Sequence, residues 1–235
     1  MATYDNITYF GTCSDFHSSI INGKSQPYPR ELKIIKEFIK NHNKNNCFID
    51  IGAHIGTVSI PYSKLFNEVI CFEANPENYK NLKKNIEYNR CKNIISYNNA
   101  ISNSNSCYKL IKSGKNSGCY HIEKTNNTNN NTNNKTNNNT NNKTITLDEL
   151  NLNNKIDFIK IDTEGSELYV LEGAINTINK NKPLIQVETN KLSEINFNYD
   201  KSKIYNFLYN LGYIIYDDDN NDPIFIHNNI EKKIN

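Results

Sequence analysis

Carboxylate side chains follow four short apolar segments of this sequence. They are Asp50, Glu73, the pair Asp162 and Glu164, and Glu188. If these segments are strands of one parallel sheet, their ends meet at the edge where open α/β sheets bind ligands. Carboxylates gathered at such an edge can accept hydrogen bonds from ribose hydroxyl groups, bind an amino group or act as general bases.

A turn with two glycines begins at the first of these acids, in the sequence DIGAHIG of residues 50–56. A strand that ends in spaced glycines lets the backbone approach a ligand and directs a helix N-terminus at it. Glu73 lies about 20 residues farther on, the spacing at which nucleotide-binding α/β folds place an acid beside the ribose. A tight turn can also need glycine for steric reasons alone, and Asp50 can simply brace it. The GxxxxGK[ST] phosphate loop is absent, which argues against ATP or GTP hydrolysis.

Strand and helix patterns alternate along most of the chain. Apolar runs predict strands at 47–51, 68–73, 94–97, 157–162, 183–188, 213–217 and 224–227. Amphipathic periodicity predicts helices at 30–41, 56–66, 165–179 and 201–211, and another that begins at Pro76. The mixed pattern of residues 101–120 favours a hairpin. The alternation predicts an α/β fold with a mostly parallel sheet and helices on both faces.

Two prolines constrain the predicted helices. Asn75, Pro76 and Glu77 form a strong helix start, with an N-cap residue, a proline at the first position and an acid near the positive end of the helix dipole. Pro61 is compatible with the helix at 56–66 only if it lies in the first turn or kinks the helix.

Asparagine makes up 46 of the 235 residues, which indicates an A/T-rich source genome rather than a chemical role. Twelve of these asparagines lie in residues 125–144, a tract of Thr, Asn and Lys alone. The tract has no apolar residue to offset the entropy lost on ordering, so we expect it to be disordered. Because lengthening a surface loop costs little free energy, the fold can carry the tract as an insertion.

The composition argues against several classes of protein. No apolar run approaches the roughly 18 residues that indicate a membrane-spanning helix, and the N-terminus lacks the pattern of a secretory signal. The six cysteines show no CxxC or zinc-type spacing. We therefore expect a cytoplasmic protein with reduced thiols, in the host cytoplasm if the A/T-rich genome is viral. The net charge of +2 is too small to indicate nucleic-acid binding.

Six segments resemble the FkbM-type S-adenosylmethionine-dependent methyltransferases, in sequence and in order. They are FIDIGAHIG, ICFEANPENYKNLKKNIEYN, NNAIS, ITLDEL, DFIKIDTEGSELYVLEGA and PLIQVETN. The resemblance extends from residue 30 to residue 227, interrupted by the Asn/Thr tract. It implies the class I methyltransferase fold, a Rossmann-like, mostly parallel seven-stranded sheet with a C-terminal antiparallel hairpin. It also implies O-methylation of a hydroxyl group, often on a sugar or a natural product.

This resemblance sets the expected domain organisation. Residues 1–29 form an irregular N-terminal arm, and residues 30–235 form the methyltransferase domain, with the insertion at 125–144. We expect the acceptor pocket to come from the N-terminal arm and from residues 101–120 and 190–200, which have the weakest patterns. The sequence predicts neither the identity of the acceptor nor the oligomeric state.

The resemblance implies a site for S-adenosylmethionine (SAM) at the strand ends. The glycine turn is expected to contact the methionine portion through Asp50, Gly52, Ala53 and Gly56. Glu73 would bind the ribose, and Asp162 would face the cofactor amino group or the acceptor. The adenine is expected to lie between Ala74, Asn75, Asn99 and Ala100. His54 stands where the family usually has Asn, which leaves the polarity of the pocket near the methionine portion open.

An alkyl hydroxyl group is a poor nucleophile, so a general base or a cation assists its methylation. The candidate catalytic residues are Asp162, Glu164, Glu188 and His54. The same side chains can alternatively bind a divalent metal, with oxygen ligands that favour Mg²⁺, although metal dependence is not the favoured interpretation. Simpler roles are open as well. Glu164 and Glu167 can stabilise the next helix as first-turn acids. His54 can have no role other than to fill space.

Two other functions are compatible with such a fold. A nucleic-acid methyltransferase, acting on RNA, is disfavoured because the fourth strand ends in DTEG rather than a [DN]PP[YF]-like motif, and because Arg occurs only at Arg30 and Arg90. A non-enzymatic binding protein is disfavoured because Asp50 and Glu73 are both present. We therefore expect a small-molecule or glycan partner and no nucleic-acid partner.

Overall fold

The computed structural model describes residues 2–4, 6–11, 29–114, 117–125, 143–219 and 221–231. Its strands are β1 (Ala2–Tyr4), β2 (Ile7–Tyr9), β3 (Cys47–Ile51), β4 (Glu68–Phe72), β5 (Ile94–Tyr97), β6 (Tyr108–Lys112), β7 (Tyr120–Lys124), β8 (Ile156–Ile161), β9 (Leu184–Val187), β10 (Tyr213–Asp217) and β11 (Ile224–His227). Its helices are α1 (Pro29–His42), α2 (Ser59–Tyr62), α3 (Pro76–Tyr88), α4 (Glu167–Glu172), α5 (Ile175–Asn181), α6 (Leu192–Phe197), α7 (Lys201–Asn210) and α8 (Asn228–Glu231), with a 3₁₀ turn at Asp148–Leu150.

Seven strands form one sheet in the order β5-β4-β3-β8-β9-β11-β10. The first five in this order pair in parallel, whereas β11 is antiparallel to both β9 and β10. The strand order reverses between β3 and β8, and this is the position at which parallel sheets bind ligands. The predicted mostly parallel sheet with a C-terminal antiparallel hairpin is therefore confirmed.

The central strands are mostly apolar because helices cover both faces of the sheet. On one face, Ile49 and Ile159 belong to a cluster of buried side chains that includes residues of α4, α5 and α7. On the other face, Phe48 and Phe158 stack with ring centroids 4.9 Å apart, beside apolar residues of α1. These two layers hold β3 and β8 rigidly side by side. None of the helices in the described ranges has the length and apolar character needed to cross a membrane.

The N-terminal segment is more regular than the sequence predicted. β1 and β2 pair as an antiparallel hairpin, with Ala2 opposite Tyr9. The backbone N–H of Thr8 donates to the side-chain oxygen of Asn89 at 2.8 Å, and that of Phe10 donates to Asn85 at 2.7 Å. These long-range amide contacts to α3 carry no periodic signal in the sequence, so the hairpin was not predicted. Residues 12–28 of the predicted arm lie outside the described residues.

The helix predicted at 56–66 is shorter than expected. Turns occupy residues 54–58, where His54 and Gly56 have φ angles of +51° and +92°, and only Ser59–Tyr62 is helical. Positive φ angles interrupt helical geometry, so the helix cannot begin at residue 56. Pro61 lies within this single helical turn, where a missing backbone N–H is tolerated.

The single helix predicted at 165–179 is divided into α4 and α5. A Cβ atom at Gly173 would overlap the carbonyl oxygen of Ser102, so the chain needs glycine at this close backbone approach. The carboxylate of Asp148 then accepts the backbone N–H groups of Asn176 and Thr177, at 2.9 and 2.8 Å, and caps the start of α5. Contacts with two distant segments, at Ser102 and at Asp148, therefore separate α4 from α5.

The expected disorder of the Asn/Thr tract falls mostly on residues 126–142, outside the described residues. The expectation was wrong for the end of the tract. Thr144 is fully buried, and its hydroxyl oxygen accepts the backbone N–H of Ser106 at 2.9 Å. Lys143 forms an antiparallel bridge with Cys107, so the chain is ordered where it returns to the domain.

Candidate functional site

A cavity of about 780 Å³ opens at the carboxyl ends of β3, β4, β8 and β9. Eleven of the thirteen residues assigned to the site from the sequence line it: Asp50, Gly52, Ala53, His54, Glu73, Ala74, Asn99, Ala100, Asp162, Glu164 and Glu188. The sheet therefore brings side chains from distant parts of the chain into one space. Their roles in binding and catalysis stay predictions.

The two remaining residues do not line the cavity. Gly56 faces α3 and α2, since a Cβ atom there would lie 2.9 Å from a Leu82 methyl carbon and 3.0 Å from an Ile60 methyl carbon. The Asn75 side chain caps α3 by accepting the backbone N–H groups of Glu77 and Asn78, at 2.9 and 3.3 Å. Both residues shape the elements behind the site, and their expected contact with a cofactor stays a prediction.

The glycine turn places backbone close to backbone. Gly52 has a φ of +91°, and a Cβ atom on it would overlap the carbonyl oxygen of Asp162. The N–H groups of Gly52 and Ala53 both donate to the carbonyl oxygen of Phe72, at 3.0 and 2.9 Å. The ends of β3, β4 and β8 are thereby held against one another, which is the steric reason for glycine at this position.

Glu73 is buried at the tip of β4, with 7% of its surface exposed. One carboxylate oxygen accepts the backbone N–H of His54 and the other that of Asn75, both at 2.8 Å. Burial raises the pKa of Glu73 to about 7, against the opposing effect of these hydrogen bonds. The side chain thus fixes the two turns beside the cavity and presents a carboxyl group to it.

Asp50 is 1% exposed and has a divided role. One of its carboxylate oxygens accepts the Ser59 hydroxyl at 2.5 Å, which braces the turn as the simpler interpretation proposed. The other, Oδ1, is buried and has no hydrogen-bond partner among the described residues. Burial raises the pKa of Asp50. A buried carboxylate oxygen beside a cavity is suited to a cationic or hydrogen-bond-donating ligand.

The hairpin of β6 and β7 forms one wall of the cavity, through Leu110 and residues 118–120 and 122. His54 Nε2 lies 2.7 Å from the Ser117 hydroxyl, and the Asn78 amide donates to the Ser117 carbonyl oxygen at 2.7 Å. The hairpin predicted in residues 101–120 is therefore present, shifted toward residue 124. His54 has a structural contact in addition to its place in the cavity, so it does more than fill space.

Lys160 is the principal residue of the site that the sequence analysis missed. It lies in the buried strand β8, is 2% exposed, and lines the cavity. Its ammonium group donates to the Asp162 carboxylate at 2.6 Å. Burial opposes ionisation of Asp162, but the charge and hydrogen bond of Lys160, with further contributions from Glu188 and His54, together hold the pKa of Asp162 below its usual range. A charged residue inside an apolar strand, IDFIKI, was the signal that could have identified it.

Glu164 and Glu188 also line the cavity, and the charges of Asp162 and Lys160 act on both. Burial, followed by the charges of Asp162 and Glu167, raises the pKa of Glu164 to about 7. Burial and the Asp162 charge raise the pKa of Glu188 well above its usual range. Glu164 has a φ of +59°, an uncommon conformation for a non-glycine residue that is frequent at functional sites.

Glu167 stands behind the site and does not line the cavity. One carboxylate oxygen accepts the backbone N–H groups of Thr163 and Gly165, at 3.0 and 2.9 Å, and the Thr163 hydroxyl. The Tyr199 hydroxyl donates to the Gly165 carbonyl oxygen at 2.6 Å. Glu167 therefore holds the loop that carries Glu164, which is a larger role than that of a first-turn acid.

The outer part of the cavity differs from the expected acceptor pocket. No residue of the segment 190–200 contributes to its lining among the described residues; Asp219 and Asp222 do so instead, together with Pro29, Arg30 and Glu31 at the start of α1. The loop before β11 contacts the segment after β9, where the Thr189 N–H donates to the Asn221 carbonyl oxygen at 2.6 Å, and short-range sequence patterns carry no sign of that contact. Burial raises the pKa of Asp222 to about 6.

The possibility of a metal site gains no geometric support. Within the described part of the chain, no group of three or more His, Cys, Asp or Glu side chains is arranged to hold a metal ion. The carboxyl groups of the cavity are instead distributed around Lys160, which contributes to the electrostatic environment of each.

Comparison with known proteins matches this arrangement to one family. The model of the methyltransferase FkbM domain matches residues 50–215. A search of curated proteins gives no match.

Two solved structures resemble the fold. The methyltransferase FkbM from Methylobacillus flagellatus KT superposes with a TM-score of 0.51 at 17% identity, over 78% of this chain and 44% of that chain. A putative caffeoyl-CoA O-methyltransferase from Staphylococcus aureus gives a TM-score of 0.50 at 16% identity, over 90% and 89% of the two chains. This chain thus spans less than half of the FkbM structure, and at these identities the likeness concerns the fold. Because the family model covers most of the chain and the acids at all four strand ends, the protein belongs to the FkbM methyltransferase domain family.

Proposed function

We propose that this protein is a SAM-dependent O-methyltransferase that acts on a hydroxyl group of an uncharged small molecule or glycan. The observation that carries the proposal is the single cavity at the strand ends, which contains Glu73, Asp50 and the group Asp162, Glu164 and Glu188. Glu73 and Asp50 suit an adenosyl cofactor, and the acids that follow β8 and β9 suit an acceptor with hydroxyl groups.

The inner part of the cavity fits SAM. The carboxyl group of Glu73 would accept the ribose hydroxyl groups, and the unpartnered oxygen of Asp50 would face the positively charged methionine portion. Ala74, Asn99 and Ala100 provide a surface of mostly small side chains for the adenine. The bound cofactor supplies a methyl group activated by a sulfonium centre. The protein then has to orient the acceptor hydroxyl and accept its proton.

Glu164 is the proposed general base. It lines the cavity, and its pKa of about 7 matches the pH at which a base must be partly ionised and still able to take a proton. Asp162 is held ionised by Lys160 and is therefore a weaker base. The acceptor O–H would donate its proton to the Glu164 carboxylate as the oxygen–methyl bond forms and the sulfur–methyl bond of the cofactor breaks, which would leave a neutral thioether.

The charges around the cavity support an uncharged acceptor. Eight acidic residues line it: Glu31, Asp50, Glu73, Asp162, Glu164, Glu188, Asp219 and Asp222. The two cations among its Lys and Arg residues are already paired, since Lys160 contacts Asp162 and Arg30 contacts Glu31 and Asp219. A phosphate backbone would be repelled by this surface, whereas sugar hydroxyl groups can donate hydrogen bonds to carboxylates. The acidic cavity therefore disfavours a nucleic-acid acceptor.

Two measurements test the proposal. Isothermal titration with SAM should give saturable binding, and the absence of binding to the wild-type protein would refute it. Incubation with methyl-labelled SAM and a panel of neutral glycans, aminosugars and structured RNA should label a neutral hydroxyl compound. The Glu164→Gln variant should bind SAM within a factor of three of wild type but transfer the label about 10²- to 10⁴-fold more slowly. Labelling of RNA alone would refute the acceptor class and leave SAM binding intact.

A further inference from the structure

We propose that Lys160 is a positioning residue that fixes the Asp162 carboxylate at the centre of the cavity and sets the charge of the acids around it. The inference deepens the proposed function and rests on it for the role of SAM. It assigns to a buried lysine of the central strand the task of keeping one particular acid of the site anionic.

The sheet register carries Lys160 to this position. Lys160 pairs with Asp50 on β3 and with Gln186 on β9. Paired residues of neighbouring strands project from the same face of a sheet, so the three polar side chains form a row across it. All three are buried, at 1 to 2% exposure, and each stands one residue before the end of its strand. The row lies directly beneath the cavity.

The ammonium group of Lys160 contacts the Asp162 carboxylate at 2.6 Å, and the Lys side chain is 3% exposed against 24% for Asp162. Asp162 therefore still reaches the cavity while its partner is enclosed. Among the Lys and Arg residues that the structure describes, Lys160 alone is fully buried. The Asp162 carboxylate is thus bound by a buried lysine and remains accessible to a ligand in the cavity.

Five carboxyl groups share the charge of Lys160, and they come from every element around it. They are Asp50 on β3, Asp162 and Glu164 after β8, Glu188 after β9 and Asp222 before β11. Burial raises the pKa of four of them, and only for the directly paired Asp162 do the charge and hydrogen bond of Lys160, together with Glu188 and His54, overcome burial. Arg30, Glu31, His54 and Asp219 also line the cavity, and the charge of Glu167 on α4 raises the pKa of Glu164 and Glu188.

Stability alone does not account for a lysine at this place. A buried ion pair gains little net stability, because removing two charges from water offsets their attraction. An apolar pair of similar volume often gives an equally stable protein. The pair instead keeps Asp162 anionic in a cavity where burial would otherwise protonate it, and an anionic Asp162 can bind the cofactor ammonium group.

The decisive variant is Lys160→Met, which removes the charge and keeps the length of the side chain. Without the cation, Asp162 should hold its proton near neutral pH. We expect SAM to bind at least tenfold more weakly at pH 6.5, and the loss to shrink toward zero by pH 9 as Asp162 ionises. Lys160→Arg should keep the wild-type pH profile. Lys155→Met, an exposed lysine just before the same strand, is the matched control and should bind SAM as wild type does.

A purely structural role for Lys160 would instead give an equal loss of affinity at every pH, and that result would overturn the inference. If Lys160→Met fails to fold, the variant Lys160→Met/Asp162→Asn removes the pair together. It should fold and bind SAM at least tenfold more weakly than wild type at both pH 6.5 and pH 9, because it lacks the anionic Asp162, and wild-type affinity in this variant would overturn the inference.

A measurement without ligand separates this inference from the proposed function. The side-chain carboxyl carbon of Asp162, followed by ¹³C NMR in the free protein, should titrate at least one pH unit higher in Lys160→Met than in wild type. If wild type fails to bind SAM, the proposed function is wrong, but a raised Asp162 titration still supports the role of Lys160. An unchanged titration overturns that role whether or not SAM binds.

Discussion

The carboxylate of Glu73 accepts the backbone N–H of His54 at 2.8 Å, which joins the end of β4 to the glycine turn after β3. Its other oxygen accepts the N–H of Asn75, the residue that caps α3. One buried side chain therefore supports both the turn and the helix start beside the cavity. Its structural role and its proposed binding role cannot be separated by an alanine substitution.

Substitution of Glu73 should consequently affect stability as well as SAM binding. In Glu73→Gln the side-chain amide NH₂ must face one of two backbone donors, so one buried N–H loses its acceptor. The expected cost is about 1–3 kcal/mol of the free energy of unfolding, with at least a tenfold loss of SAM affinity. Chemical denaturation and titration with SAM measure the two effects. Glu87→Gln, on an exposed face of α3, should change neither; an unchanged Glu73→Gln stability would contradict the bridging role.

Gly52 should tolerate no side chain. Its φ is +91°, and a Cβ atom would overlap the Asp162 carbonyl oxygen, so Gly52→Ala has to force the ends of β3 and β8 apart. We expect a loss of several kcal/mol or no folded protein. Gly118 also lines the cavity, but a Cβ atom on it would meet no other atom within 4 Å. The melting temperature of Gly118→Ala should therefore lie within a few degrees of that of wild type. Equal melting temperatures for the two variants would contradict the close approach.

The alternation of strands and helices was predictable because buried parallel strands are mostly apolar and the covering helices have one apolar face. The acids at the strand ends were predictable because parallel strands share one ligand-binding edge. Lengths were less predictable where a distant backbone intervenes, as Ser102 does at Gly173. Asn85 is fully buried and donates to the Ile55 carbonyl oxygen at 2.8 Å, a role hidden by the general excess of asparagine.

The site was predicted less completely than the fold because it also depends on contacts between distant parts of the chain. Lys160 owes its importance to its cross-strand neighbours Asp50 and Gln186, and register is a property of the assembled sheet. Asp222 reaches the cavity only because the final hairpin folds back over β9. Short-range periodicity contains neither relationship.

Stability should fall as pH rises from about 6.5 to 8. Glu73 and Glu164 have pKa values near 7 in the folded protein, so the folded state binds protons that the unfolded chain has lost. For the buried Glu73 the loss over this range is about 1 kcal/mol. Below pH 6.5 the lowered pKa values of His42, His121 and His227 act in the opposite direction, since their unfolded forms bind more protons.

Denaturant titrations at pH 6.5, 7.25 and 8 measure this trend. Glu164→Gln should reduce the slope because Gln does not titrate, whereas the exposed Glu87→Gln should leave it unchanged. A flat or rising profile in wild type would show that these carboxyl groups are already ionised at pH 6.5. Saturating SAM should flatten the wild-type profile, because ribose hydroxyl groups that donate to Glu73 favour its ionised form.

Relief of the backbone strain at Glu164 should stabilise the protein at the expense of catalysis. Glu164 has a φ of +59°, a conformation that Asn adopts more readily, and its carboxyl group is half-buried among other acids. Glu164→Asn should therefore raise the free energy of unfolding by about 0.5–1 kcal/mol at pH 8 while methyl transfer falls by at least two orders of magnitude. Lys182→Asn changes another residue of positive φ, +49°, at the end of α5. Lys182→Asn should give a similar gain in stability with an unchanged rate of methyl transfer. If Glu164→Asn loses stability while Lys182→Asn does not, the Glu164 side chain stabilises its loop and its backbone conformation is not a source of strain.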